Sequence, residues 1–217
     1  VAGTNPADFS APILLYSSVD DYGDIGCCYL ETTSTGASFR MNSKGSLSLF
    51  NCILTGSSYC AHGTNAGVYI GSSGKLYVYN CTAVRNGQHA YSKGYGTIYC
   101  YNCIGEKNSS STGDAFQSIA GGDYNISNDS SAPGSNSIQN TTLTYVDRSN
   151  KDFHLASTDT AAINAGKYNP ASGLYSDDID GQSRGTSNWD IGADEYVAAG
   201  ISLPVAMRYY RNRRIYC

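Results

Sequence analysis

Three segments alternate apolar and polar residues in one frame: GSLSLFNC from Gly45 to Cys52, GKLYVYNC from Gly74 to Cys81, and GTIYCYNC from Gly96 to Cys103. Such alternation predicts a strand with one buried face. It sends Leu47, Leu49, Leu76, Val78 and Ile98 to the interior. Phe50, Tyr79 and Tyr101 take the opposite parity and should stack outside as an aromatic column. Each segment opens on Gly, which supplies the positive φ of a corner. Asn51, Asn80 and Asn102 fall at a further corner, where a side-chain amide can bond the coil above and below. The Asn-Cys pairs recur after 29 residues (Cys52 to Cys81) and then 22 (Cys81 to Cys103). A period in the twenties that keeps its register is the mark of a solenoid, one coil per repeat. Three unrelated strands of a sandwich would have no reason to keep eight positions aligned.

The remaining segments divide the chain. Residues 1–40 read as an irregular N-terminal segment, with one buried strand in APILLY and a turn in VDDYGD. Coils occupy 41–146. AGVYIGSSGKLYVYNCTAVRNG reads as strand, tight turn, strand and polar turn, the plan of a parallel β-helix. From Asn108 to Asn140 the Ser, Asn and Gly content predicts a long loop or irregular coils. Residues 147–196 are expected to close the end of the helix, where unpaired strand edges and an apolar interior need a lid. Leu155, Ile163, Ile179, Trp189 and Ile191 would cover the core there. A basic tail, 197–217, follows. The fold class is therefore all-β: a short right-handed parallel β-helix with a C-terminal capping segment.

Composition agrees. Charged residues are 15% of the chain, below the roughly 25% of ordinary soluble domains, while Gly (24) and Tyr (19) are abundant. This suits short strands and turns and argues against a helical bundle. The net charge of −4 is unevenly spread: the tail holds Arg208, Arg211, Arg213 and Arg214 and no acid, leaving −8 on the rest. Such asymmetry suggests a tail that docks on the acidic body of a neighbouring copy. The overall acidity does not suit nucleic acid. The longest apolar run, Val197 to Met207, is 11 residues, against about 20 for a spanning helix. With Val1 first and no visible leader, the chain reads as a mature or truncated product.

Eight cysteines are present. Cys52, Cys81 and Cys103 share one repeat position, so they should stack about 4.8 Å apart with parallel side chains unsuited to bridging. A ladder of reduced thiols acting as small hydrophobes is expected. Cys27 and Cys28 are adjacent and would face opposite sides of a strand. Cys60 and Cys100 lack a repeat equivalent and are the candidates for a disulfide; Cys217 could be free or link two chains.

The strings DFHL (Asp152 to Leu155), AAINAG, DIDGQSR and DIGADEY (Asp190 to Tyr196), with the Gly-led NC repeats before them, resemble right-handed parallel β-helix proteins of the choice-of-anchor Q type. That group consists of bacterial and metagenomic surface proteins, and the likeness spans roughly residues 41–196. It implies an extracellular or cell-surface location, with a virion surface as the other expectation for such a repetitive chain. No sorting motif with a full hydrophobic segment follows Tyr196.

Candidate chemistry is sparse. Asp177, Asp178, Asp180, Asp190, Asp194 and Glu195 form an acidic cluster with Arg184 nearby. Asp177, Asp178 and Asp180 alternate ahead of a Gly, a spacing open to calcium, the one cofactor the sequence offers; turn-shaping and salt bridging to Arg184 is the competing role. His62, His89 and His154 have no metal-ligand spacing and read as structural or surface residues. No GxSxG is present. A glycosidase needs two carboxylates at a defined separation, yet no acid stands between Gly45 and Gly105. No catalytic residue is assigned. Tyr77, Tyr79, Tyr99 and Tyr101 offer instead a surface for stacking on sugar rings or for burial against another subunit, although strand propensity alone also favours Tyr.

The expectation is a non-catalytic surface, fibre, filament or virion component, a homo-oligomer or a partner of other structural subunits, with polysaccharide as a further ligand. A polysaccharide lyase or hydrolase on the same scaffold is the alternative.

Overall fold

The computed structural model describes residues 13–16, 22–32, 37–42, 44–56, 66–70, 73–85 and 87–198. Strands follow one another in threes, one coil at a time. The first coil is β1 (Ile13–Tyr16), β2 (Tyr22–Gly26) and β3 (Tyr29–Thr32); the second is β4 (Phe39–Asn42), β5 (Ser46–Phe50) and β6 (Ile53–Gly56). The third is β7 (Ala66–Ile70), β8 (Lys75–Tyr79) and β9 (Thr82–Arg85). The fourth is β10 (His89–Lys93), β11 (Thr97–Tyr101) and β12 (Ile104–Glu106); the fifth is β13 (Phe116–Gln117), β14 (Gly121–Asp123) and β15 (Ile126–Ser127). Every third strand pairs in parallel, so three five-stranded sheets run along the molecule. This is a parallel β-solenoid, as the repeats predict. An antiparallel hairpin follows, β16 (Tyr145–Asp147) and β17 (Asp152–Leu155), and no helix among the described residues is long and apolar enough to cross a membrane.

The middle sheet keeps the register that the sequence implies. Ser46 to Phe50 pair one for one with Lys75 to Tyr79, and these with Thr97 to Tyr101. Leu47, Leu76 and Ile98 make one buried column, and Leu49, Val78 and Cys100 the next. Cys100 is thus an interior rung with its own repeat equivalents. Its thiol is free, which corrects the reason for pairing it with Cys60; Cys60 lies outside the described residues.

The corner after this sheet is the true repeat. Asn51, Asn80 and Asn102 have φ of 48°, 48° and 53°, in the left-handed region that Asn enters more readily than most residues. Gly26 stands beside Phe50 and Tyr101 beside Asp123, so Cys27 and Tyr124 occupy the same corner in the outer coils. Both also have positive φ, 52° and 55°. Cys27-Cys28 and Tyr124-Asn125 are therefore the first and fifth copies of Asn-Cys. The first coil lies within the segment expected to be irregular, because YGDIG hides its alternation behind glycines.

The next residue turns inward. The thiols of Cys28, Cys52, Cys81 and Cys103 lie 3.1, 3.1, 3.2 and 3.3 Å from the carbonyl two residues back. All four are free. Burial pushes the Cys52, Cys81 and Cys100 thiols up from their ordinary value, which suppresses the reactive thiolate. Asn125 ends the column by imitating a cysteine. Its amide donates to the Cys100 carbonyl at 2.9 Å, where the Cys103 thiol reaches Val78 at 3.5 Å. Its Oδ1 accepts the Cys103 N–H at 3.0 Å, as the Cys81 sulfur accepts that of Cys52 at 3.4 Å.

The closing segment does not cover the end of the helix. The third sheet has apolar side chains on its outer face too, and Ile53, Val84, Ile104 and Ile126 pack there against Leu143, Tyr145, Phe153, Leu155 and Ile191. Residues 143–196 are a flank that lies along the coils. The lid over the fifth coil is the Ser- and Asn-rich stretch at 128–140. Asp129, Ser131 and Ser137 accept the N–H groups of Ala115, Phe116 and Asn125 at 2.8, 3.0 and 2.9 Å, and Ile138 bridges Ile126 in parallel. Polar side chains thereby satisfy an edge that would otherwise template another strand.

The reduced ladder has a direct readout. Cys52, Cys81, Cys100 and Cys103 should resist a thiol reagent in the native protein and all react in denaturant without reductant. A mass deficit of one disulfide among these four would contradict the ladder.

Candidate functional site

Two features outside the core carry chemistry: the hub that fastens the flank, and the outer face of the middle sheet. The corner asparagines begin the first. Positive φ turns their side chains outward, and the amides of Asn51, Asn80 and Asn102 donate to the carbonyls of Asp177, Tyr175 and Lys167. Asn102 also accepts the Lys167 N–H at 2.8 Å. Asn102 bonds from coil to coil as well, donating to Asn80 at 3.2 Å. The asparagines thus hold the flank in addition to the expected bond between coils. Gly192 (φ 110°) comes so close to the coils that a Cβ would collide with Ile104 and Thr82.

DIDGQSR and DIGADEY meet around Arg184, which is 0% exposed. Its guanidinium donates to the carbonyls of Asp177, Asp190, Gly192 and Ala193 at 3.2, 3.3, 2.8 and 2.8 Å and to the Glu195 carboxylate at 3.2 Å. It also lies 5.8 Å from the Trp189 ring centre. Burial lowers the Arg184 pKa, against the raising fields of Glu195, Asp178, Asp194 and Asp190. The acids shape turns. Asp178 accepts the N–H groups of Asp180, Gln182 and Glu195 at 2.9, 2.7 and 3.2 Å, and Asp190 accepts those of Asn164 and Tyr196 at 2.6 Å each. Burial raises Asp178 and Asp190, and carries Glu195 up to about 7.

The three residues expected to hold calcium are drawn to different tasks. Asp177 is exposed and contributes its carbonyl to Asn51 and Arg184. Both Asp178 oxygens are engaged by hub N–H groups. Asp180 turns to His154, whose Nε2 is 3.3 Å from its Oδ2. Calcium asks for six to eight oxygens, and this trio does not gather them. The histidine, on β17, also pairs through Nδ1 with Asp152. Burial pulls its pKa down, but the pairing with Asp180, the field of Asp194 and the pairing with Asp152 prevail and raise it to about 9. Asp194, which accepts the Leu155 N–H at 2.7 Å, is raised by burial to about 6.

On the outer face of the middle sheet the structure brings all four predicted tyrosines together. Tyr77 stacks on Tyr99 with ring centres 5.3 Å apart, Tyr79 on Tyr101 at 5.5 Å, and the two columns lie 6.5 Å apart at Tyr77 and Tyr79. Phe50 heads the second column as expected, but the flank covers it: Tyr175 stacks on Phe50 at 3.9 Å and leans on Tyr79 at 5.7 Å. Burial, with the neighbouring phenols, raises Tyr79 to about 12. The Tyr77–Tyr99 column is half-buried, with small residues at its two ends, Ser48 beside Tyr77 and Gly121 beside Tyr99. Tyr91 belongs to the core instead, its hydroxyl donating to the carbonyls of Cys81 and Ile104.

Sequence reasoning missed Glu106. It is buried beneath the hairpin, where its carboxylate accepts the Leu143 N–H at 3.0 Å and pairs with Arg148. An acid closing a strand right after an NC repeat was the available signal. Arg208, Arg211, Arg213 and Arg214 lie outside the described residues.

Compared with known proteins, the chain matches no family model, no curated protein and no solved structure.

Removing Arg184 would leave buried acids and carbonyls without their cation. Arg184→Ala should cost about 3–5 kcal/mol in denaturant unfolding. Arg184→Lys should recover little, because one ammonium cannot reach the carbonyls arrayed around the separate edges of the guanidinium. A cost below about 1 kcal/mol, the range of an exposed ion pair, would show that the hub does not stabilise the fold.

Proposed function

We propose that the chain is a non-catalytic structural or adhesive protein of the extracellular space or of a cell or virion surface. It contacts polysaccharide through the tyrosine face and associates with its own copies through the basic tail. The observation that carries this reading is the Tyr77–Tyr99 column beside Tyr79 and Tyr101, aromatic rings held parallel on a rigid sheet. Stacked, half-buried phenols present flat apolar surface with hydroxyls at the rim, the chemistry that meets a sugar ring. Small neighbours, Ser48 and Gly121, leave the ends of that column low. The acids of the closing segment accept backbone N–H bonds and set turns, which favours a scaffold over a hydrolase.

Kinship with the choice-of-anchor Q type belongs to the same proposal. What supports it is that DIDGQSR and DIGADEY, two of the strings that carry the resemblance, meet in one buried hub. The tail's four arginines and the net −8 on the rest of the chain supply the charge complementarity for self-association.

Binding to a panel of insoluble and arrayed polysaccharides tests the face. Tyr77→Ala with Tyr99→Ala should weaken binding about tenfold or more, since each stacked ring is worth about 0.5–1.5 kcal/mol, with circular dichroism unchanged. Retained affinity in that double variant would reject the face as the contact. Sedimentation tests the tail separately: deletion of 197–217 should abolish assembly, and assembly that survives the deletion would overturn that part.

A further inference from the structure

We propose that His154, Asp180 and Asp194 form a site for one first-row divalent cation of the zinc kind, with Asp152 as the outer partner of the imidazole. The three residues come from β17 and from the two turns that close the hub, and their donor atoms all lie within 4.8 Å of one another. Ligands on an ion bonded at about 2.0–2.2 Å must fall within such a distance.

Geometry at the histidine supplies an independent argument. Its Nε2 is buried and faces Asp180 Oδ2 at 3.3 Å, an ion-pair distance without the alignment of a hydrogen bond. Donor atoms this close, with no hydrogen bond aligned between them, have the spacing of neighbouring ligands on one ion bonded at about 2.0–2.2 Å. Nδ1 is committed to Asp152. That carboxylate–histidine pairing places the proton on Nδ1, sets the ring orientation and leaves the Nε2 lone pair for a metal, as in many zinc sites. Asp194 is similarly held, one oxygen on the Leu155 N–H at 2.7 Å, so its other oxygen remains to serve the ion.

The donor set selects the metal. One imidazole nitrogen with two carboxylates suits zinc or manganese, whereas calcium prefers an all-oxygen shell of six to eight. Three protein ligands leave at least one position for water. A bound ion would tie the β16–β17 hairpin to both hub turns, adding a fastening for the flank that is independent of the tyrosine face.

The experiment uses the full chain without a histidine tag, stripped with EDTA and dialysed. Zinc should bind at one ion per chain by calorimetry and raise the melting temperature, the increment growing with free metal. Cobalt in place of zinc should give visible bands of a low-coordinate nitrogen–oxygen site. His154→Gln and Asp194→Asn should each weaken zinc at least tenfold, while Asp177→Asn, outside the trio, should leave it unchanged. Absence of zinc binding and of cobalt bands in the wild-type chain would overturn the proposal and leave His154 an ion-paired imidazolium. Zinc affinity that survives His154→Gln, or calcium stabilising as strongly as zinc, would overturn it as well. The cobalt measurement needs no variant, so a misfolded substitution cannot obscure the answer.

Discussion

At one corner of every coil a residue enters the left-handed region, and the rest of the molecule is organised by that corner. A parallel solenoid must continue its hydrogen-bond ladder where the chain turns, or leave polar groups unpaired in every coil. Here the corner N–H groups of Cys27, Asn51, Asn80 and Asn102 donate to Phe50, Tyr79, Tyr101 and Asp123 in the coil beyond. The strain of a non-glycine residue at positive φ, about 1–2 kcal/mol, is offset by a ladder that does not break. The same dihedral sends the corner side chain out and its successor in. Asn faces the flank and Cys faces the core because of one backbone conformation, and both columns follow from it.

That division also explains why the closing segment lies on the side of the helix. The corner amides offer a row of donors, the third sheet offers a row of isoleucines, and together they suit a strip of chain better than a lid. Arg184 then solves the problem the strip creates. Its turns expose carbonyls away from water, and a guanidinium with donors in several directions can serve four of them. A buried charge needs compensation, and Glu195 provides it at 3.2 Å, with three further acids lending their field. Aspartates that look like ligands in sequence are, in the fold, acceptors for the turns that frame this arginine.

Much of this was legible beforehand. The inward column through Leu47, Leu76 and Ile98, the outward one through Phe50, Tyr79 and Tyr101, and the thiol stack through Cys52, Cys81 and Cys103 follow from parity and register alone. The outer copies were harder to see. Cys27-Cys28 and Tyr124-Asn125 share a conformation with Asn-Cys but little composition, and Asn125 keeps the thiol's hydrogen bonds with a different functional group. The lid was misassigned for a related reason: polar side chains that satisfy an edge look, in sequence, like an ordinary loop. The His154, Asp180 and Asp194 cluster had no local signal, since its members are far apart along the chain.

Sequence by itself determined the solenoid, because strand alternation and a repeating corner are written locally in each coil, and coils of one pattern have one way to stack their faces. It likewise determined which tyrosines share a face. Only the tertiary structure decided where the closing segment lies, that Tyr175 covers part of the aromatic column, and which acids meet which cation. Those outcomes depend on the packing of surfaces that exist only once the coils are stacked, and no spacing along the chain encodes them.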